Sequence, residues 1–149
     1  MRRYLTAVAV GAVLLVGSAC GTDSEPEDSP TDIACSEYNR LINERSQSYD
    51  EEMGAVGQAV AAGDEDRKET AIAVVQELFQ TTAEGLRAID TDGLTDEFVT
   101  ALSDAADGLD SVAGQIETYE DVAAADGLMS ESQFATAGAK ISELCAAEG

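Results

Sequence analysis

After Pro30 this chain contains no proline, and its large apolar residues recur at helical spacing almost to the end. The stretch from Thr95 to Ala123 is the clearest. Phe98, Leu102, Ala105, Leu109, Val112, Ile116, Tyr119 and Ala123 step alternately by four and three residues. That spacing puts them on one face of a helix for more than three heptads and leaves the acids between them facing water. No segment alternates with the period of two that a strand requires. The expectation is an all-α domain.

Local signals divide the helical region into four segments. The first starts near Thr31 or Asp32, carries Tyr38, Leu41 and Ile42, Arg45, Tyr49, Met53, Val56 and Val60 on its seam, and ends at Gly63. The second starts near Asp64 or Asp66, where Asp66 and Glu69 fit a capping box. Its seam holds Ala71, Val74 and Val75, Leu78, Thr82, Leu86 and Ile89, and Gly93 stands where a glycine cap belongs. The third begins at Thr95 as N-cap, with Asp96 and Glu97 suited to the positive end of the helix dipole. Ser130 to Gln133 form a capping box for the fourth, with Met129 and Phe134 as a staple and a seam of Phe134, Ala137, Ile141 and Leu144. Short connections around Gly63, Gly93 and Gly127 make successive helices antiparallel, so the predicted architecture is an up-down-up-down four-helix bundle over residues 32–149.

The N-terminus belongs to a different problem. Arg2 and Arg3 precede an uncharged run from Tyr4 to Ala19, which is short of the roughly 20 apolar residues of a membrane span. A charged start, a short apolar run and small residues before a cut describe an export signal. Gly17, Ser18 and Ala19 alone also suit ordinary secretion with cleavage after Ala19. The junction Val16-Gly17-Ser18-Ala19-Cys20 resembles the lipobox of bacterial lipoprotein precursors, and the Ala/Gly/Val-rich, Arg-led signal is similar to those of actinobacterial lipoproteins. The resemblance implies cleavage after Ala19, diacylglycerol and a palmitate-type acyl group on Cys20, and a protein held on the extracytoplasmic face of the cell membrane. Residues 20–31 then form an acidic tether. They hold no large apolar residue, and Pro26 and Pro30 oppose a helix there, so the expectation is a disordered spacer.

Cysteine parity agrees with that assignment. With Cys20 acylated, Cys35 and Cys145 remain, and two thiols in an oxidising compartment pair. In an up-down bundle the start of the first helix and the end of the fourth share a pole, which makes a Cys35–Cys145 bridge possible. The bridge is needed. Ile, Leu, Val, Met and Phe make up only about one fifth of the residues after Ala19, near the limit below which highly charged chains stay disordered. Glycines inside the helices, at 54, 57, 85, 108, 114 and 138, each cost about 1 kcal/mol relative to Ala.

Charge and missing residue types narrow the function. Eight Lys and Arg oppose 30 Asp and Glu, a formal net charge of −22, which argues against nucleic acid as a partner. Removal of residues 1–19 would take away two arginines and no acid, making the remainder more negative still. There is no His, so neither a Ser-His or Cys-His pair nor a usual zinc shell can be built. Asp90-Thr91-Asp92-Gly93 opens like a calcium loop, but the sixth position holds Thr95 where that loop needs Gly; a helix terminus explains the same residues. The expectation is therefore no catalytic residues, no metal, no cofactor and no enzymatic activity.

Two features keep a ligand in view. Arg45 falls on an apolar seam, either to snorkel at the core edge or to pair with an acid or an anionic ligand. Tyr38, Tyr49 and Tyr119 are either core tyrosines with rim hydroxyls or the lining of a groove. The leading expectation is a lipid-anchored binding or interaction module for an envelope protein. The alternative is a bundle carrying a small molecule or lipid between its helices, and a third reading is an anchored enzyme, which would need convergent acids in a cleft. A large apolar cavity would favour the second, and a solid core the first.

Overall fold

The structure is a computed structural model and describes residues 29–148 apart from residue 65. The expected export signal (1–19), Cys20 and most of the expected tether (20–28) lie outside the described residues. All regular elements among the described residues are helices: α1 (Pro30–Ala61), α2 (Asp66–Arg87), α3 (Asp96–Ala113), α4 (Tyr119–Ala123), α5 (Ala125–Glu131) and α6 (Gln133–Glu148). None of them is long and apolar enough to cross a membrane.

The helical region starts slightly earlier than residue 32. Ser29 is the N-cap of α1: its hydroxyl accepts from the Asp32 amide at 3.1 Å, and the Asp32 carboxylate accepts from the Ser29 amide at 3.2 Å. Pro30 is therefore the first helical residue and not a barrier. A proline there loses no hydrogen bond, because the first turn's amides have no intrahelical acceptor, and its fixed φ suits the helix. At the other end Gly63 has φ +86°, its amide donates to Val60 O, and the Asp64 amide donates to Ala59 O, a Schellman closure. Asp66 is the first residue of α2 and not its cap, so Asp66 and Glu69 both serve the helix dipole from inside the first turn.

The α2 helix stops at Arg87, short of the expected glycine cap. Gly93 (φ +82°) instead forms a turn within the following loop, closed by the Leu94 amide on Thr91 O at 3.1 Å. Thr95 then caps α3 as expected, accepting from the Phe98 amide.

The third segment is not one helix. α3 ends at Ala113 with Gly114 as its C-cap. The chain crosses Ile116 in a non-helical conformation and starts again at Thr118, where Thr118 and Asp121 form a reciprocal capping box. Two features favour the break. The Ile116 carbonyl accepts from Gln76 Nε2 at 2.6 Å across the interface with α2, and the Thr118–Asp121 box offers the backbone a local alternative to the helix. Ile116 and Val122 are both buried even so. The expected seam therefore holds only as far as Ile116: Tyr119 is half-buried, and Val122 takes the next core position while Ala123 is exposed.

The expected box at Ser130–Gln133 is also absent. Ser130 lies within α5 and its hydroxyl donates to Gly127 O; Ser132 is extended and its hydroxyl donates to Met129 O. α6 starts at Gln133.

The four longest helices contact one another in a ring: α1 with α2, α2 with α3, α3 with α6, and α6 with α1. Paired positions show that each neighbour runs antiparallel. Leu41 meets Gly85 while Tyr49 stacks on Phe79. Arg87 bridges to Asp107 and Asp110 while Gln76 reaches Ile116. Lys140 pairs with Glu97 while Phe134 abuts Gly108. The core runs through this ring and includes Phe98, Leu86, Leu109, Ile116 and Ile141, each almost fully buried. Cys35 and Cys145 are joined, with their Cα atoms 5.8 Å apart across 110 residues of sequence. The bridge ties the first turns of α1 to the last turns of α6.

Candidate functional site

The short helices after the break create the site. α5 packs on α3 and α6 without extending the ring, and an apolar cleft of about 400 Å³ remains between it, α1 and α2. Its floor includes Phe79, Leu109 and Leu78, and Met129 and Phe134 close the far wall. Tyr49 contributes a ring stacked on Phe79, with centroids 6.2 Å apart and planes 18° from parallel. This volume lies in the range of small-molecule sites, about 300–1,000 Å³.

Packing at the far wall depends on one residue. The Gly108 Cα faces the start of α6, and a Cβ there would stand 2.9 Å from Phe134 Cα and 3.0 Å from Gln133 C. Only glycine lets α6 begin so close to α3, and this places Phe134 at the cleft.

Several polar groups around the cleft are satisfied by the chain itself. The buried Thr82 hydroxyl donates to Leu78 O at 2.7 Å, and Ser130 donates to Gly127 O. Tyr49 is half-buried. Its phenol is pushed above its ordinary value first by burial, then by the nearby carboxylates of Asp126 and Asp50, so it stays protonated as a donor.

Arg45 stands on the α1 side of the same cleft, half-buried, with Ser46 beside it and Asp126 also on the lining. It forms no ion pair with any described carboxylate. Snorkelling and ligand pairing are both compatible with its position at the cleft, whereas pairing with an acid of the chain is not found among the described residues.

The three tyrosines do not form one cluster. Tyr38 is buried in the α1–α6 interface, with its hydroxyl 3.0 Å from where a Cβ on Gly138 would lie, and burial pushes its phenol up. Tyr119 lies beneath Lys68, whose Nζ is 5.7 Å from the ring centroid. Of the three, Tyr49 alone lines the cleft. Phe79 is not singled out by the sequence because Leu78, one position earlier, fits the helical seam equally well; only the crossing of α1 over α2 decides between them.

A second depression, between the start of α3 and α6, is rimmed by charged side chains. Asp96, Glu97 and Asp104 face Lys140, which pairs with Glu97 at 2.8 Å. The Asp90–Gly93 stretch is a turn in which Asp90 Oδ1 accepts from the Asp92 amide at 3.0 Å. Among the described residues no group of three or more Cys, Asp and Glu side chains is placed to hold a metal ion. The described carboxylates are spread over helix faces and first turns, so no pair of them converges on a shared point in the cleft.

No family model matches this chain, and neither does any curated protein or solved structure.

Proposed function

We propose that this protein is a lipid-anchored, extracytoplasmic binding protein that holds a small apolar ligand in the cleft between α1, α2 and α5. On this reading Cys20 carries the lipid, the acidic stretch up to residue 28 spaces the domain from the membrane surface, and the domain is an up-down-up-down four-helix bundle of α1, α2, α3 and α6. The antiparallel neighbours and the bridge between its first and last helices support that bundle. The single observation that carries the ligand reading is the apolar cleft of about 400 Å³, whose aromatic wall is not filled by the chain's own side chains. The acidic surface supplies solubility and keeps the domain off an anionic membrane. The reading assigns the cleft to binding, in keeping with a sequence that has no His to serve as a general base.

Two experiments test this. Metabolic labelling with a clickable fatty acid should mark the wild-type chain and not Cys20→Ala; label on both would refute the anchor. The full chain carrying Cys20→Ala should bind the neutral fluorophore N-phenyl-1-naphthylamine saturably at one site. Ser46→Trp should abolish that binding by filling the mouth of the cleft. Ser46 is exposed on α1, so helical content by circular dichroism should be unchanged. Binding that survives Ser46→Trp, or none in either protein, would refute the cleft as the site.

A further inference from the structure

Basic residues are scarce in this chain, and the described ones are almost all engaged. Arg40 pairs with Glu44 at 2.9 Å, Arg67 with Asp64 at 3.7 Å, Arg87 with both Asp107 and Asp110 at 2.7 Å, and Lys140 with Glu97 and Glu143. Lys68 lies over the Tyr119 ring. Arg45 is the exception among the described residues. Acids outnumber bases by 30 to 8, so a guanidinium without a carboxylate is the less expected arrangement. Its own helix explains how this comes about. The positions three and four residues away are Leu41, Ile42, Ser48 and Tyr49, none of them acidic, whereas Arg40 has Glu44 one turn on. The side chain is half-buried at the edge of an apolar cleft, where solvent screens a charge less than on an open face.

Resting on the ligand reading above, we infer that the cleft takes a single-chain amphipathic carboxylate, a fatty-acid-like monoanion, with its tail between Phe79, Leu109 and Met129 and its head on Arg45. The planar guanidinium fork matches a carboxylate with two parallel hydrogen bonds, and a charged acceptor makes those bonds the stronger kind. Ser46 and the protonated Tyr49 hydroxyl are further donors on the same lining. A methylene occupies about the volume of a liquid water, about 30 Å³, so the cleft holds a tail on the order of a dozen carbons. Asp126 also lines the cleft and is the one charge there that opposes an anion. An unpaired acid is ordinary in a chain this acidic, and the unpaired Arg45 therefore decides the sign of the ligand.

Displacement of N-phenyl-1-naphthylamine from the full chain carrying Cys20→Ala tests the inference. The competitors are dodecanoate, dodecanol and dodecylamine, each below its aggregation threshold. Dodecanoate should displace the fluorophore about tenfold more tightly than dodecanol, a preference of the size that one charge-assisted pair supplies, and dodecylamine should be weakest. Arg45→Gln should remove that preference and leave dodecanol unchanged, which a general loss of structure would not do. Asp126→Asn should tighten dodecanoate. Equal affinities for dodecanoate and dodecanol, or a preference that survives Arg45→Gln, would overturn the inference while leaving the cleft as a binding site. Tighter binding of dodecylamine, lost in Asp126→Asn, would overturn it in favour of a cationic ligand. Failure of the fluorophore itself to bind would defeat the underlying ligand reading, and this inference with it.

Discussion

The backbone of Phe134 lies where a side chain on Gly108 would have to be. The two residues are on α3 and α6, and the contact sets how closely those helices approach. Gly108→Ala should therefore destabilise the domain by about 1–3 kcal/mol, since the obstructing atoms are backbone and cannot rotate away. Gly54 and Gly57 on α1 have open space where a Cβ would stand, with nothing within 4 Å. Gly54→Ala and Gly57→Ala should each stabilise by about 0.5–1 kcal/mol through helix propensity alone. Urea unfolding of the three variants checks this; equal effects at all three positions would contradict the close approach.

The Cys35–Cys145 bridge spans 110 residues. Chain-entropy arithmetic for a loop of that size gives about 4–5 kcal/mol. Reduction, or the double substitution Cys35→Ala with Cys145→Ala, should lower the urea midpoint by an amount corresponding to about 2–5 kcal/mol. Fraying should begin at the two ends the bridge ties together, which amide hydrogen exchange in the first turns of α1 and the last turns of α6 would reveal.

Gln76 makes one of the two contacts that support the bend after α3. Its side-chain amide donates to Ile116 O, and Ile116 is fully buried. Gln76→Leu leaves that carbonyl without its partner and should cost about 1–3 kcal/mol, more than a surface substitution on the same helix. Thermal unfolding of Gln76→Leu beside Glu77→Leu separates the two.

Asp121 carries a pH signature. Its carboxylate accepts from the Thr118 hydroxyl and from the Thr118 and Glu117 amides, and these bonds hold its pKa below the ordinary aspartate value. The folded chain thus binds this proton less tightly than the unfolded chain. The resulting stabilisation is fully present above the unfolded aspartate value, about 4, and is lost as the pH falls through the lower folded value. Asp121→Asn should reduce stability at neutral pH and flatten the acid limb of the stability profile. An unchanged acid limb, measured by urea titration between about pH 7 and 2, would show that the box does not form.

Helix-forming pattern is legible over most of the chain because its cause is local. Spacing by three and four, Gly63 in a left-handed cap, Thr95 as N-cap and acids in first turns depend on residues within a few positions of each other. The pairing of Cys35 with Cys145 follows from parity and from helix order. Pro30 is the exception at this local level. A proline is a barrier or a start depending on whether a cap precedes it, and the cap is Ser29, ahead of the start expected near Thr31 or Asp32.

What the tertiary structure alone decided lies where the local sequence pattern allows two conformations. From Gly114 to Thr118 a continuous helix and a bend both bury Ile116, and a hydrogen bond from a side chain 40 residues earlier favours the bend. Ser130 is an equally good cap by pattern, and packing of α5 placed it inside a helix. The cleft follows from those two outcomes. Its walls come from five helices, so no segment of sequence contains it. Sequence alone did determine that Arg45 has no acid one turn away on either side. Only the assembled helices put that arginine at the edge of an apolar volume, because burial is a property of neighbours that are distant along the chain.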